Sequence, residues 1–330
     1  MRPAAGTSRP RRSPARSPLA LLLVLVAAAA LGLAACGGGG QDTPTACGAG
    51  GGAAARAANG RVPHFGHIVV IAFENEEYGD VIGDRQAPTF NRLAHHQALL
   101  TRYCGVAHPS LPNYLALVSG STHGVTDDCT DCTVHGPDLA DSLAAKHRSW
   151  KTYAEGLPHA GFTGAEAGRY AEKHDPLVYF ADVRHDPRRL ARIVPLDQLD
   201  RDLAAHTLPD FSLVIPDLCH DIHDCSVATG DAWLKSFLPR LLSSPQLRDG
   251  VVFIVFDEAD QGDRAGGGGH TVALAVGPRV RPGSRATAPL THYSLLRTIE
   301  DAWGLPRLGR SASAPPITGI WRHARSRSQL

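Results

Sequence analysis

The chain has 330 residues, 33 basic against 32 acidic side chains, a formal net charge of +1 and 43% hydrophobic residues. A balance this even excludes a general nucleic-acid binder, which needs a basic surface facing the phosphates. Seven cysteines and 17 histidines are the unusual counts, and both fall in clusters.

Residues 1–35 read as an address. Arg2, Arg9, Arg11, Arg12 and Arg16 form a basic region, an apolar run covers Leu19 to Ala30, and Leu33-Ala34-Ala35-Cys36 closes it. That ending has the form of a bacterial lipobox, in which Cys36 is lipidated and the mature protein is held at the outer face of a membrane. An ordinary cleaved signal is the alternative. The apolar run is shorter than the ~20 residues a spanning helix prefers. Residues 36–62, rich in Gly and Ala, read as a flexible tether. Residues 63–325 then form one folded domain. With Cys36 set aside for lipid, an even set of cysteines remains, and outside the cytoplasm such a set reads as disulfides. Cys129/Cys132 and Cys219/Cys225 are the natural local bridges, leaving Cys47 with Cys104.

The first strand of that domain is the buried run Ile68 to Phe73, followed at once by Glu74. A helical pattern covers Pro88 to Ala98. In the segment Tyr103 to Gly120, Ser110 opens a helix between Pro109 and Pro112, where the dipole and free backbone N–H groups suit a phosphate. On spacing alone Ser110 reads rather as a simple N-cap. Leu139 to His147 is a further helix, and Phe211 to Ile215 a second buried strand with Asp217 beyond it. The loop C-H-D-I-H-D-C from Cys219 to Cys225 then gathers His220, Asp221, His223 and Asp224 between two cysteines, as a pinned metal site requires.

An amphipathic helix over Asp231 to Leu242 puts Trp233, Phe237 and Leu241 on one side. The third buried strand, Val251 to Phe256, ends in Asp257-Glu258, and two adjacent carboxylates repel unless a cation compensates them. His270 follows a glycine run that lets backbones approach closely. A strand over Thr271 to Val276 and a helix over His292 to Trp303 complete the pattern. Strands alternating with helices predict a three-layer α/β fold, a mostly parallel sheet between helices, with ligands beyond the carboxyl ends of the strands.

Several motifs carry a resemblance when taken in order. F-E-N at 73–75, H-P-S-L-P-N-Y at 108–114, K-H-D-P at 173–176, D-I-H-D at 221–224 and F-D-E at 256–258 resemble the bacterial phosphoesterase family of acid phosphatases and phospholipases C, within the alkaline phosphatase superfamily. The ending from His292 to Trp321, with P-P-I-T-G-I-W at 315–321, is similar to a branch of secreted acid phosphatases, mycobacterial in type, that also act on phosphatidylinositol 3-phosphate.

The resemblance implies an alkaline-phosphatase-like fold and one or two divalent metal ions. It implies Glu74, Asp257 and Glu258 as metal ligands, Asn75 as a ligand or phosphate contact, and Ser110 as the nucleophile that forms a phosphoseryl intermediate. Asp221 and His223 match a second ligand cluster and His270 a late histidine. Either histidine is expected to ligate metal or to activate water. The implied activity is a secreted phosphomonoesterase, possible substrates including phosphoinositides. A phospholipase C-type phosphodiesterase and a non-catalytic surface lipoprotein are the alternatives. A sulfatase requires Arg where Tyr114 stands, and the G-x-S-x-G of a serine esterase is absent.

Overall fold

The computed structural model describes Cys47 and residues 61–322. The expected signal 1–35, Cys36 and most of the tether lie outside the described residues. Eight strands share one sheet: β1 Ile68–Phe73, β2 Ala98–Leu100, β3 Trp150–Ala154, β4 Ile193–Pro195, β5 Phe211–Ile215, β6 Val251–Phe256, β7 Ala273–Val276 and β8 Ser284–Ala286. Their order across it is β8-β2-β7-β6-β1-β5-β3-β4. Only β7 runs antiparallel to its neighbours β2 and β6; the remaining pairs are parallel.

Alternation along the strands builds two cores. Ile68 and Val70 of β1 face one, and Val69, Ile71 and Phe73 face the other. Over the first core lie α2 (Ser110–Ser119), α3 (Leu139–Ala144) and α5 (His292–Trp303); over the second lie α1 (Pro88–His96) and α4 (Val227–Ser243). Both sheet faces are therefore covered, which is why the central strands read as continuous apolar runs. Among the described residues no helix is long and apolar enough to cross a membrane.

Helix boundaries differ from the expectations for local reasons. The α1 helix stops at His96 because Ala98 begins β2, and α3 stops at Ala144. The α4 helix starts four residues earlier than expected and tolerates Pro239 within it. Its buried Asp231 caps α1 from outside, accepting the N–H groups of Thr89 and Phe90 at 2.7 and 3.0 Å. Gly230, in its first turns, lies against Ile222, where an added Cβ would fall 2.3 Å from Cγ1. That contact seats α4 under the loop that carries Asp221 and His223.

The expected strand over Thr271 to Val276 is two strands. His270–Thr271 pairs with Tyr103–Cys104 in a small three-stranded sheet, and only Ala273–Val276 joins the large one. All three expected disulfides are formed: Cys47–Cys104, Cys129–Cys132 and Cys219–Cys225.

Candidate active site

Register sets the centre of the site. Phe73 of β1 lies beside Phe256 of β6, so Glu74 and Asp257 leave the sheet together at its carboxyl end. The Asp257 N–H donates to Phe73 O at 3.0 Å, and the Glu74 N–H donates to Asp221 O at 2.9 Å. Three acids from three chain segments are thereby fixed by main-chain bonds before any side chain is considered.

Ser110 is the first residue of α2 and is buried. Its Oγ donates to Glu74 Oε2 at 2.9 Å, and the buried Tyr114 hydroxyl, one turn on, donates to Glu74 Oε1. The loop before Ser110 is held by Asn113, whose Oδ1 accepts Val106 N–H and Ala107 N–H at 2.7 and 3.1 Å. The glycine run meets this loop backbone to backbone. A Cβ on Gly267 would stand 2.3 Å from Val106 O, and one on Gly268 2.5 Å from Ala107 O.

His174 fills the space between two acids, Nε2 lying 3.4 Å from Glu74 Oε1 and Nδ1 3.2 Å from Asp221 Oδ2. Glu74, His174 and His223 each offer a donor atom within 4.8 Å of the others. At the outer side, His223 Nδ1 meets Asp224 Oδ1 at 2.7 Å, while its Nε2 stands 3.2 Å from Lys173 Nζ. Lys173 also donates to Asp128 Oδ2 at 2.9 Å.

Burial dominates the electrostatics. Desolvation pushes the Glu74, Asp221, Asp257 and Glu258 carboxyls upward, and mutual repulsion adds to it, as between Asp257 and both Glu74 and Glu258. Burial also lowers His174 well below the ordinary histidine range, with Lys173 and His223 adding to the effect. Asn75 Oδ1 and Asp257 Oδ2 are buried oxygens with no hydrogen-bond partner, and Asp221 Oδ2 has the His174 ring 3.2 Å away. Buried acceptors short of donors, beside crowded carboxylates, fit a divalent cation.

The structure thus brings together Glu74, Asn75, Ser110, Asp221, His223 and Asp257. Asn75 takes a positive φ of 52° and donates its N–H to Asp257 Oδ1 at 3.2 Å. Glu258 sits alongside, with Oε2 engaged by His108 Nδ1 at 2.7 Å and Asn113 Nδ2 at 3.3 Å.

His270 does not join them. Its ring stacks on Tyr78 with centroids 4.5 Å apart, and its Nε2 lies 3.1 Å from Thr101 O. The glycine run that pointed to it packs against the loop before Ser110. His220 pairs with Glu155 at 2.9 Å in a separate half-buried group with Asp217, and His292 is a core residue between Tyr103 and Asp257 O. His174, Lys173, Asp128 and His108 are the site residues that sequence reasoning missed. The first two lie in the K-H-D-P motif and His108 opens the H-P-S-L-P-N-Y motif, which were the available signals; Asp128 carried none.

The sequence profile of the Phosphoesterase family matches residues 83–306. The chain belongs to the Phosphoesterase family. This phosphoesterase is 36% identical over 267 residues to a phosphatidylinositol-3-phosphatase of Mycobacterium tuberculosis, covering 80% of the chain and 85% of the relative. It is 32% identical over 256 residues to a phosphate-repressible acid phosphatase of Penicillium chrysogenum, covering 74% of the chain but only 61% of that relative. Its fold is similar to the crystal structure of an alkaline phosphatase superfamily protein from Vibrio parahaemolyticus, with a TM-score of 0.53, 13% identity and coverage of 78% and 72% of the two chains. The phosphoesterase is a hydrolase of phosphoric esters with the three-layer α/β fold of that superfamily.

Proposed function

We propose that the phosphoesterase is a metal-dependent phosphomonoesterase of the acid phosphatase kind, with Ser110 as its nucleophile. One observation carries the reading: a buried serine hydroxyl, at the start of a helix, donates at 2.9 Å to a carboxylate among orphaned acceptors. Glu74, Asn75 and Asp257 are suited to hold a divalent cation, with Asp221, Glu258, His174 and His223 beside them. When bound, that ion supplies electrostatic stabilisation of the serine oxygen and of the phosphoryl group.

Glu74 Oε2 orients the Ser110 hydroxyl and takes its proton as Oγ bonds to phosphorus. The bond from phosphorus to the leaving oxygen breaks, and that oxygen takes a proton from His223, whose ring Asp224 holds in place. Lys173 places positive charge at the mouth, toward the phosphoryl oxygens. Water then attacks the phosphorus of the phosphoserine, the bond from phosphorus to Oγ breaks, the neutral His223 accepts the water's proton, and Glu74 returns its proton to Oγ. His270 has no part in these steps.

Identity to a phosphatidylinositol-3-phosphatase supports a phosphoinositide monoester as a substrate. Three disulfides support an extracellular location, with residues 1–35 as signal, Cys36 as the lipid attachment and 63–325 as the catalytic domain. The test is hydrolysis of p-nitrophenyl phosphate and phosphatidylinositol 3-phosphate by the chain lacking residues 1–36. It is run with and without EDTA, beside p-nitrophenylphosphorylcholine. Chelator-sensitive monoester hydrolysis, abolished in Ser110→Ala, is the expected result. Turnover retained by Ser110→Ala would remove the nucleophile assignment, and preference for the diester would turn the reading to a phospholipase C type.

A further inference from the structure

Asp257 is held at all but one of its polar atoms. Its N–H donates to Phe73 O at 3.0 Å, and its Oδ1 accepts the Glu258 N–H at 2.7 Å and the Asn75 N–H at 3.2 Å. The carbonyl is held by a side chain from far along the sequence: His292 Nε2 lies 2.5 Å from Asp257 O. Oδ2 is left without a partner.

A carbonyl oxygen can only accept, so Nε2 of His292 carries the proton. In the neutral ring Nδ1 is then an acceptor, and the Tyr103 hydroxyl donates to it at 2.9 Å. Both side chains are at most 1% exposed, and their rings meet edge to face with centroids 5.4 Å apart. Each is anchored by its own element. His292 opens α5 behind a capping box formed by Thr291 and Ser294, and Tyr103 pairs with Thr271 and Leu290 in the small sheet.

A buried imidazole costs more than an apolar side chain of similar size unless both nitrogens are partnered. Here both are, and the carbonyl that is held belongs to the peptide joining Asp257 to Glu258. In a trans peptide C=O and N–H point opposite ways. With the oxygen turned to His292, the Glu258 N–H is presented on the other side, where Asp257 Oδ1 accepts it. Gly105 closes the remaining flank, since a Cβ there would stand 2.9 Å from Asp257 O. With Oδ1 engaged by that N–H, Oδ2 is the oxygen that remains for a cation.

We propose that His292, oriented by Tyr103, is a positioning residue for the acid pair: it fixes the 257–258 peptide and so decides which Asp257 oxygen faces the cation. The proposal rests on the reading of Asp257 as a cation-holding residue.

Manganese is the probe, and the purified chain is compared with four variants by equilibrium dialysis, thermal melting and p-nitrophenyl phosphate kinetics. His292→Leu removes the N–H. It should raise the manganese Kd and lower kcat, each roughly tenfold or more, with KM little changed. His292→Gln keeps an N–H that can reach Asp257 O and should recover most of both losses. Tyr103→Phe removes only a hydroxyl and should weaken manganese binding by about threefold, which serves if His292→Leu does not fold. Wild-type manganese affinity and kcat in His292→Leu or, failing that, in Tyr103→Phe would overturn the proposal. So would a His292→Gln variant no better than His292→Leu, because the imidazole would then serve packing alone. Asp257→Asn separates the two levels: manganese affinity and turnover unchanged in that variant would remove the reading of Asp257 itself.

Discussion

Asp128 caps Leu111: its Oδ1 accepts the Leu111 N–H at 3.0 Å, one residue beyond Ser110. Its other oxygen holds Lys173 at 2.9 Å. The helix-start N–H that should greet a phosphate is therefore engaged by a carboxylate of the protein itself. Pro109 precedes the helix without a side-chain cap, so Asp128 performs that task from a separate loop. An incoming phosphoryl group must compete with it. Asp128→Asn should lower the inhibition constant for inorganic phosphate roughly threefold to tenfold, the range expected for one charged contact at a partly exposed helix end. Phosphate inhibition measured on both proteins checks this, and an unchanged or raised constant would refute it.

His223 is assigned proton transfer to the leaving group, which makes a prediction about substrates. His223→Gln should lower kcat on the order of 100-fold for alkyl phosphates, whose alkoxides need a proton. For p-nitrophenyl phosphate, whose leaving group departs unprotonated, the loss should be markedly smaller. Comparing kcat across leaving groups decides it, because a purely structural defect would depress all substrates alike.

Asp138 ties stability to pH away from the catalytic centre. It caps α3 by accepting Asp141 N–H at 2.7 Å, and burial pushes its carboxyl up to about 7. The folded state thus binds this proton more tightly than the unfolded chain, whose ordinary value is 3.8. Such a group contributes stability that is fully present below pH 3.8 and is lost as pH rises through about 7. Asp138→Asn keeps an acceptor for the cap and removes the charge. It should flatten the decline in stability between those values and stabilise the protein above pH 7 by on the order of 1 kcal/mol. Urea denaturation of both proteins at pH 5 and pH 8 is the measurement.

The Cys219–Cys225 bridge closes the loop bearing Asp221 and His223. Opening it in the Cys219→Ser, Cys225→Ser double variant should cost about 2 kcal/mol through the freed unfolded chain. Activity should become more sensitive to EDTA, since two of the clustered side chains lose their fixed loop. Denaturation midpoints and chelator titrations separate the two effects. A stability loss with unaltered chelator sensitivity would mean that the loop holds its shape through α4 alone.

The three central strands were legible because each is buried on both faces and reads as a nearly continuous apolar run, broken only by Ser212, with an acid at its end or two residues beyond it. Trp150–Ala154 escaped notice because Lys151 and Thr152 interrupt its apolar residues, and Ile193–Pro195 and Ala98–Leu100 are too short to show a period. The break at Val272 was invisible because it depends on Tyr103–Cys104 arriving as a partner from a distant segment. Glu74, Ser110 and Asp257 could be named because strand and helix ends place them. Asp128 could not, since no local rule brings residue 128 to the start of α2. The glycines beside His270 do permit close approach, and what approaches them is the 105–107 backbone.

That contact has a consequence for how this protein can vary. Where Gly267 and Gly268 touch Val106 and Ala107, main chain lies against main chain, with no side chain between them to be trimmed or refilled. A saturation survey of these positions should therefore show a second zone of intolerance, as strict as the one at Ser110, made of residues with no chemistry of their own. The catalytic geometry is inherited through that seam as much as through the acids.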